Sequence, residues 1–334
     1  MGGGELRRLG ESLKERIHIK TPAERATELN QPLPISVSIG VDPAIEVTSC
    51  FEPPTTPLGF NELSIAGALR RRPVELIPCV SVKENAIANA EYVIEGEILP
   101  GSNHVVEDQN SHTGFTMPEF PGYNGPASHE CWLLKVHAVT HRKSHIMQTC
   151  IGPSEEHVNM AGIPTEASIL GMIDKELPSK VLNCYSHRAG GGKYMVILQC
   201  KKTVHTDEGK QRQAALLAFS AFPELKHVIL VDDDVDIFDT NDVLWAMNTR
   251  FQGDRDIITI PSVRCHPLDP SSNPAYAPSI RDIGVSTKKI FDCTVSVSVG
   301  IHVDAAGLRD IEALRGNFGR CVKLLTERAG EPIQ

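Results

Sequence analysis

The chain has 334 residues, 41% of them hydrophobic, with 33 basic against 42 acidic side chains and a formal charge of −9. That content suffices for a sizeable core and, at this length, for two domains. An acidic balance with no basic tract beyond Arg70-Arg71-Arg72 disfavours a nucleic-acid partner, and no apolar run approaches the roughly 18 residues of a membrane span.

The opening MGGGELRRLG lacks an apolar signal core and places Leu6 where a myristoylation pattern needs Ser or Thr. Pro22 to Leu29 reads as a short helix with Pro22 near its start. Leu33 to Val41 alternates as a strand. Leu58 to Leu69 is predicted helical with Asn61 as a cap. Strands are predicted over Val74 to Val82, Glu91 to Ile98, Cys131 to Thr140 and His145 to Thr149. Few helices among them imply a mainly β domain ending near residue 150. Residues 151–166 read as a linker. Ala167 to Leu177 is then a helix and Val181 to Cys184 a strand, followed by a glycine turn at Ala189 to Gly192. Lys193 to Lys201 is a strand, Gly209 to Phe222 an amphipathic helix, His227 to Val231 a buried strand and Thr240 to Arg250 a helix. This alternation predicts an α/β domain over 167–305. Residues 262–285 read as a loop, and 306–334 as a region with a terminal helix that packs on another subunit. Nine single cysteines, none in a CxxC, are expected to be reduced in a cytoplasmic protein.

The most informative string is Tyr92 to Tyr123. It opens as a strand and crosses a polar, Gly/Pro-rich loop with Glu95, Glu97, Glu107, Asp108 and Glu119 as candidate proton donors. A loop of this length in a compact domain is functional or disordered, and its aromatics argue against disorder. Asp232-Asp233-Asp234 and Asp236 follow a buried strand, where open α/β sheets place ligands. Taken alone, they suggest a metal-dependent transferase acting through Asp232 to Asp234. Asp239 and Asp242 are candidate caps for the next helix. Glu155-Glu156-His157 resembles a small acid/base cluster without an assignable role, and Ser186-His187-Arg188 with the glycines reads as a turn. No GxSxG supports a hydrolase.

Several strings together resemble the UbiD-type decarboxylases, which use prenylated FMN. They are LPISVSIGVDPA (33–44), GFNELSIAGALRRRPVELIPC (59–79), VEDQN with MPEFPGY in the acidic loop, and VILVDDDVDIFDTNDVLWAMNTR (228–250). The resemblance covers about residues 30 to 295. It implies a split β-barrel flavin-binding domain, here incomplete, within 1–150, and an α/β oligomerisation domain after it. It also implies reversible non-oxidative decarboxylation of an α,β-unsaturated or (hetero)aromatic acid through a prenylated-FMN cycloadduct, with Glu119 as proton donor and Glu107 in an Arg-linked network. A glutamic acid holds such a proton near neutral pH only where burial raises its pKa. Glu62 and His18 correspond to ligands of a divalent metal, Mn or Mg, beside the cofactor phosphate; such hard cations want oxygen ligands. K⁺ is a further implied ion, and Lys288 corresponds to a lysine aimed at the phosphate. The implied partners are a small carboxylic acid, a flavin prenyltransferase that supplies the cofactor, and identical subunits in a dimer or higher oligomer. The family's upstream Asn metal ligand and Arg have no counterpart before His18. The alternative reading is therefore a non-catalytic UbiD-like fragment or oligomerising scaffold.

Overall fold

The computed structural model describes residues 22–51, 56, 61–102, 106–107, 113–128, 130–266, 268–272 and 284–297. His18, Asp108 and the predicted helix within 306–334 lie outside them. The chain is a mixed α/β protein. Its first part holds α1 (Pro22–Glu28), β1 (Leu33–Ile39), α2 (Pro43–Ser49), α3 (Glu62–Arg70), β2 (Leu76–Pro78), β3 (Asn85–Ile87), β4 (Tyr92–Ile98), β5 (Phe115–Pro118), β6 (Asn124–Pro126) and β7 (Leu134–His141). Strands β1, β4 and β7 form an antiparallel sheet with β4 central. β2–β3 and β5–β6 form two further antiparallel ribbons, and no barrel closes among the described residues. The Asn61 cap is present, its side chain accepting from the Leu63 amide at 3.0 Å.

The second part holds α4 (Glu155–Glu176), β8 (Val181–Ser186), β9 (Met195–Cys200), α5 (Lys210–Ala221), β10 (His227–Asp232), α6 (Thr240–Arg250), β11 (Ile257–Arg264) and β12 (Val285–Asp292). The sheet order is β11-β12-β10-β9-β8. β12, β10 and β9 run parallel, and antiparallel β11 and β8 form the edges. The central strands are buried on both faces, which is why they read as continuous apolar runs. Val196, Leu198, Val228, Leu230 and Ile290 pack against α4 and α5 through Ile169, Ile173, Ala214 and Ala218. Ile197, Ile229 and Val231 face the opposite way, onto Val235, Ile237, Val243 and Ala246.

Several expectations are corrected. The helix predicted from Ala167 begins at Glu155, inside the segment read as a linker. Pro164 lies within it, and an internal proline removes a backbone donor and mimics a helix boundary. Ser154 caps the true start by accepting from the His157 amide at 3.1 Å. The strand expected over His145 to Thr149 is irregular chain, and only Leu76–Pro78 of 74–82 is strand. α2 and strands β11 and β12 were not read from the pattern, and β11 ends inside the segment taken as loop. Glu95 and Glu97 lie in β4 and not on the acidic loop.

His227, on the central strand β10, gives a pH-dependent contribution to stability. Burial, then the Lys226 charge, pushes its pKa from 6.5 down to about 4. The unfolded chain therefore binds a proton here that the folded chain refuses. The contribution is complete above pH 6.5 and is lost as pH falls towards 4. His227→Leu should flatten the fall in melting temperature between about pH 7 and about pH 5. Parallel melting curves of the two proteins check this; identical slopes would remove His227 from the account.

Candidate active site

Glu62 opens α3 and lines a cleft of about 970 Å³ between the first sheet and α2. Ser36 and Ser38 of β1, Thr48 and Ser49 of α2, and Glu84, Asn85 and Gln148 share its walls. The volume lies in the range of ligand sites, roughly 300–1,000 Å³, and the oxygen-rich lining suits a phosphate-bearing cofactor with a hard cation. Glu62 supplies one such oxygen donor. Among the described residues no group of three or more His, Cys, Asp or Glu side chains is arranged to hold a metal ion. A second cleft, of about 580 Å³, adjoins it through Gly40, Val41 and Gln148 and is lined by Arg70, Arg72 and Arg142. Two of its arginines are already paired, Arg70 with Asp42 at 2.9 Å and Arg142 with Glu91 at 2.7 Å.

Glu95, on β4, is the buried acid of the first sheet. It is 2% exposed and accepts from the Ser81 hydroxyl and amide at 2.7 Å and from the Val80 amide at 3.1 Å. Burial alone would raise its pKa; these three donors outweigh burial and hold the carboxyl below its usual range. The stabilisation is thus present above the ordinary carboxylate range and is lost on acidification through it. Glu95→Gln should cost about 2 kcal/mol near neutral pH and less in acid. Denaturant titrations at two pH values check this, and an equal cost at both would contradict it.

The two catalytic candidates lie before and within the β5–β6 hairpin. Glu107 is exposed and is tied to Ser128 twice: its carboxylate accepts from the Ser128 amide at 2.9 Å, and its own amide donates to the Ser128 carbonyl at 2.9 Å. Glu119 stands at the hairpin tip. Its amide donates to the Tyr123 carbonyl at 2.9 Å, and the Gly122 amide closes the turn onto the Glu119 carbonyl at 2.9 Å. Gly122 has φ +84°, a conformation glycine adopts freely. The half-buried Glu119 carboxylate makes no hydrogen bond or ion pair among the described residues. It is not part of the wall of the cleft that Glu62 lines. A third cavity, of about 260 Å³, shares Cys50 and Met160 with that cleft, and the ring of His157 in its wall lies 6.2 Å, centroid to centroid, from Phe120, the residue after Glu119.

Lys288 is placed differently from expectation. It is 6% exposed on β12, and its ammonium donates to the Pro223 and Leu225 carbonyls just beyond α5. Burial lowers its pKa to about 8. This ammonium ties down a helix end, and the cofactor-phosphate role expected of it finds no support in its partners.

The aspartate run is held by Arg250. Its guanidinium reaches Asp232 at 3.1 Å and Asp234 at 2.8 and 2.5 Å. Asp232 also accepts from the Val295 amide at 2.7 Å. Asp239 caps α6 by accepting from the Asn241 amide at 2.9 Å, and Asp242 instead accepts from the Asp236 amide. Of the acid/base cluster, Glu155 pairs with Arg188. The His187 ring accepts from the Ala189 amide at 3.1 Å, so 186–189 is a turn. Sequence reasoning missed Ser128 as the partner of Glu107, and Arg250 as the counter-ion of the aspartates.

Comparison with known proteins agrees with this architecture. Residues 7–155 match the 3-octaprenyl-4-hydroxybenzoate carboxy-lyase Rift-related domain, and residues 158–293 match the C-terminal domain of the same carboxy-lyase. The chain belongs to the UbiD family. Among its UbiD relatives, the gallate decarboxylase of Lactiplantibacillus plantarum is 58% identical over 83% of this chain and 57% of its own length. The ligand-free 3,4-dihydroxybenzoic acid decarboxylase of Klebsiella pneumoniae superposes with a TM-score of 0.79 at 55% identity, covering 86% of this chain and 59% of that one. The UbiD-class enzyme HmfF from Pelotomaculum thermopropionicum, solved with FMN, gives a TM-score of 0.74 at 34% identity, over 87% and 60% of the two chains. The chain thus spans somewhat more than half the length of these UbiD relatives.

Proposed function

We propose that this chain carries the catalytic hairpin of a decarboxylase for a hydroxylated aromatic acid, of the gallate or 3,4-dihydroxybenzoate kind. Named relatives that act on such acids, at 58% and 55% identity, support the substrate class. The observation that carries the assignment of roles is the contrast between the two glutamates. Glu107 is committed to the Ser128 backbone, whereas Glu119 stands at a hairpin tip with its carboxylate unengaged among the described residues.

Prenylated FMN, when bound, supplies a reversible covalent electron sink for the carbon that bears the carboxylate. Glu62, with its neighbours on the 970 Å³ cleft, would hold the cofactor end and a divalent cation, Mg²⁺ or Mn²⁺. His18 is the proposed second ligand, and K⁺ is a further proposed ion. When the substrate C–C bond breaks, carbon dioxide leaves and the electron pair stays on the ring carbon. Glu119 gives its proton to that carbon and is reprotonated from solvent. Glu107 keeps the base of the hairpin in place. The proposed setting is the cytoplasm, with a flavin prenyltransferase as supplier and identical subunits as partners. The eight cysteines of the described region are all free thiols, which accords with a reducing compartment. The transferase reading is disfavoured because Arg250 occupies the carboxylates it needs.

The test is to produce the 334-residue chain together with a flavin prenyltransferase and record its native mass and absorbance spectrum. Bound prenylated FMN is the expected result. A folded, flavin-free chain would favour the scaffold reading instead.

A further inference from the structure

Phe120 follows Glu119 directly, yet the two side chains meet opposite environments. Phe120 is only 5% exposed. Its ring centroid lies 5.0 Å from Tyr194 and 4.8 Å from His266, with His157 at 6.2 Å. Tilted and edge-on arrangements at these distances are the favoured aromatic contacts. The Lys193 ammonium stands 5.9 Å from the ring centroid.

The floor of this socket is Gly191, at φ +63°. A Cβ there would stand 2.4 Å from Phe120 Cδ2 and 3.2 Å from the Phe120 carbonyl oxygen. Only glycine lets the ring seat so deeply. Gly152 makes a second close approach: a Cβ there would lie 2.9 Å from the Pro118 carbonyl oxygen and 2.6 Å from His157 Nδ1. Tyr194, His266, Gly191 and Lys193 all belong to the second, α/β part of the chain, whereas Phe120 belongs to the hairpin of the first. The hairpin tip is therefore fastened across the two parts at the residue next to the proposed proton donor.

We propose that Phe120 is a positioning residue, whose ring in the Tyr194–His266–Gly191 socket fixes where the Glu119 carboxyl can reach. This inference rests on the proposal that Glu119 is the proton donor. Consecutive Cα atoms stand about 3.8 Å apart across a rigid peptide plane, so seating one residue leaves its neighbour little freedom.

The experiment uses the 334-residue chain loaded with prenylated FMN and two readouts. Amide exchange by mass spectrometry reports the hairpin, 115–126, against the core strand 227–232. Steady-state kinetics on 3,4-dihydroxybenzoate reports kcat and KM. Phe120→Ala is expected to speed exchange in the hairpin and leave the core strand unchanged. It should lower kcat by about 100-fold, the scale for a misplacement of about 1 Å, with KM held within about twofold. Gly191→Ala, which keeps Phe120 but fills its seat, should do the same. Phe120→Leu, which restores an apolar plug, should recover most of kcat.

Unchanged kcat in Phe120→Ala would overturn the inference. So would faster exchange that spreads to 227–232, because the residue would then serve the fold as a whole. Should the unaltered chain release no carbon dioxide, the donor assignment falls, and with it the claim that Phe120 positions a proton donor. Hairpin exchange would still show whether Phe120 holds the tip.

Discussion

Glu119→Gln is expected to remove about 10²- to 10⁴-fold of the decarboxylation rate, the usual worth of a positioned general acid. The amide matches the carboxyl in shape but has no acidic proton to place on carbon. The substitution should leave the fold intact, because no hydrogen bond or ion pair among the described residues depends on the Glu119 carboxylate. Only the Glu119 backbone groups hold the turn, through Tyr123 and Gly122, and they survive the change. Glu107→Gln should lose less, since a glutamine carbonyl can still accept from the Ser128 amide. The check is carbon dioxide release alongside incorporation of solvent deuterium at the ring carbon of the phenolic product that had borne the carboxylate. A Glu119→Gln protein that keeps its rate, with Glu107→Gln inactive, would reverse the assignment of the two roles.

Arg250→Ala is expected to destabilise the protein by about 3 kcal/mol, the scale for removing one partner of a buried pair. The Arg250 side chain is 6% exposed and is shared by Asp232 and Asp234. Bonding to Asp234, against the opposing effect of burial, raises its pKa, so it stays charged throughout. It also lies 4.8 Å over the Trp245 ring, a contact the alanine loses. Without it two carboxylates would face each other beside the end of β10. Asp233→Asn, by contrast, changes an exposed side chain and should be near neutral for stability. Urea unfolding of the two variants decides the matter. If Asp233→Asn abolished a metal-dependent activity while Arg250→Ala left stability unchanged, the aspartates would be a functional site.

The sequence made the α/β part legible because its strands are short apolar runs between turns and Asp239 caps α6. His227 to Val231 and Thr240 to Arg250 fall within a residue of their predicted ends. It was less legible where local signals oppose the tertiary outcome. Pro164 masked the first half of a long helix that is held by packing of Ile169 and Ile173 on the sheet. β11 and β12 border a Pro/Ser/Asn-rich stretch that hid them. The site shows the same division. Glu62, Glu107 and Glu119 are proposed from motif residues in order along the chain. Their partners could not be, because Ser128 reaches Glu107, and Tyr194 and His266 reach Phe120, only through the fold. Lys288 shows the converse: a motif position whose burial gives its ammonium to backbone carbonyls.

Loaded with prenylated FMN, this chain is expected to decarboxylate a hydroxylated benzoic acid through Glu119. The most direct measurement is carbon dioxide release from 3,4-dihydroxybenzoate and gallate by the flavin-loaded 334-residue chain and its Glu119→Gln variant, side by side. Release is expected from the first, with a loss of about 10²-fold or more in the second. Equal rates from both proteins, or no release from a loaded and folded chain, would contradict this expectation.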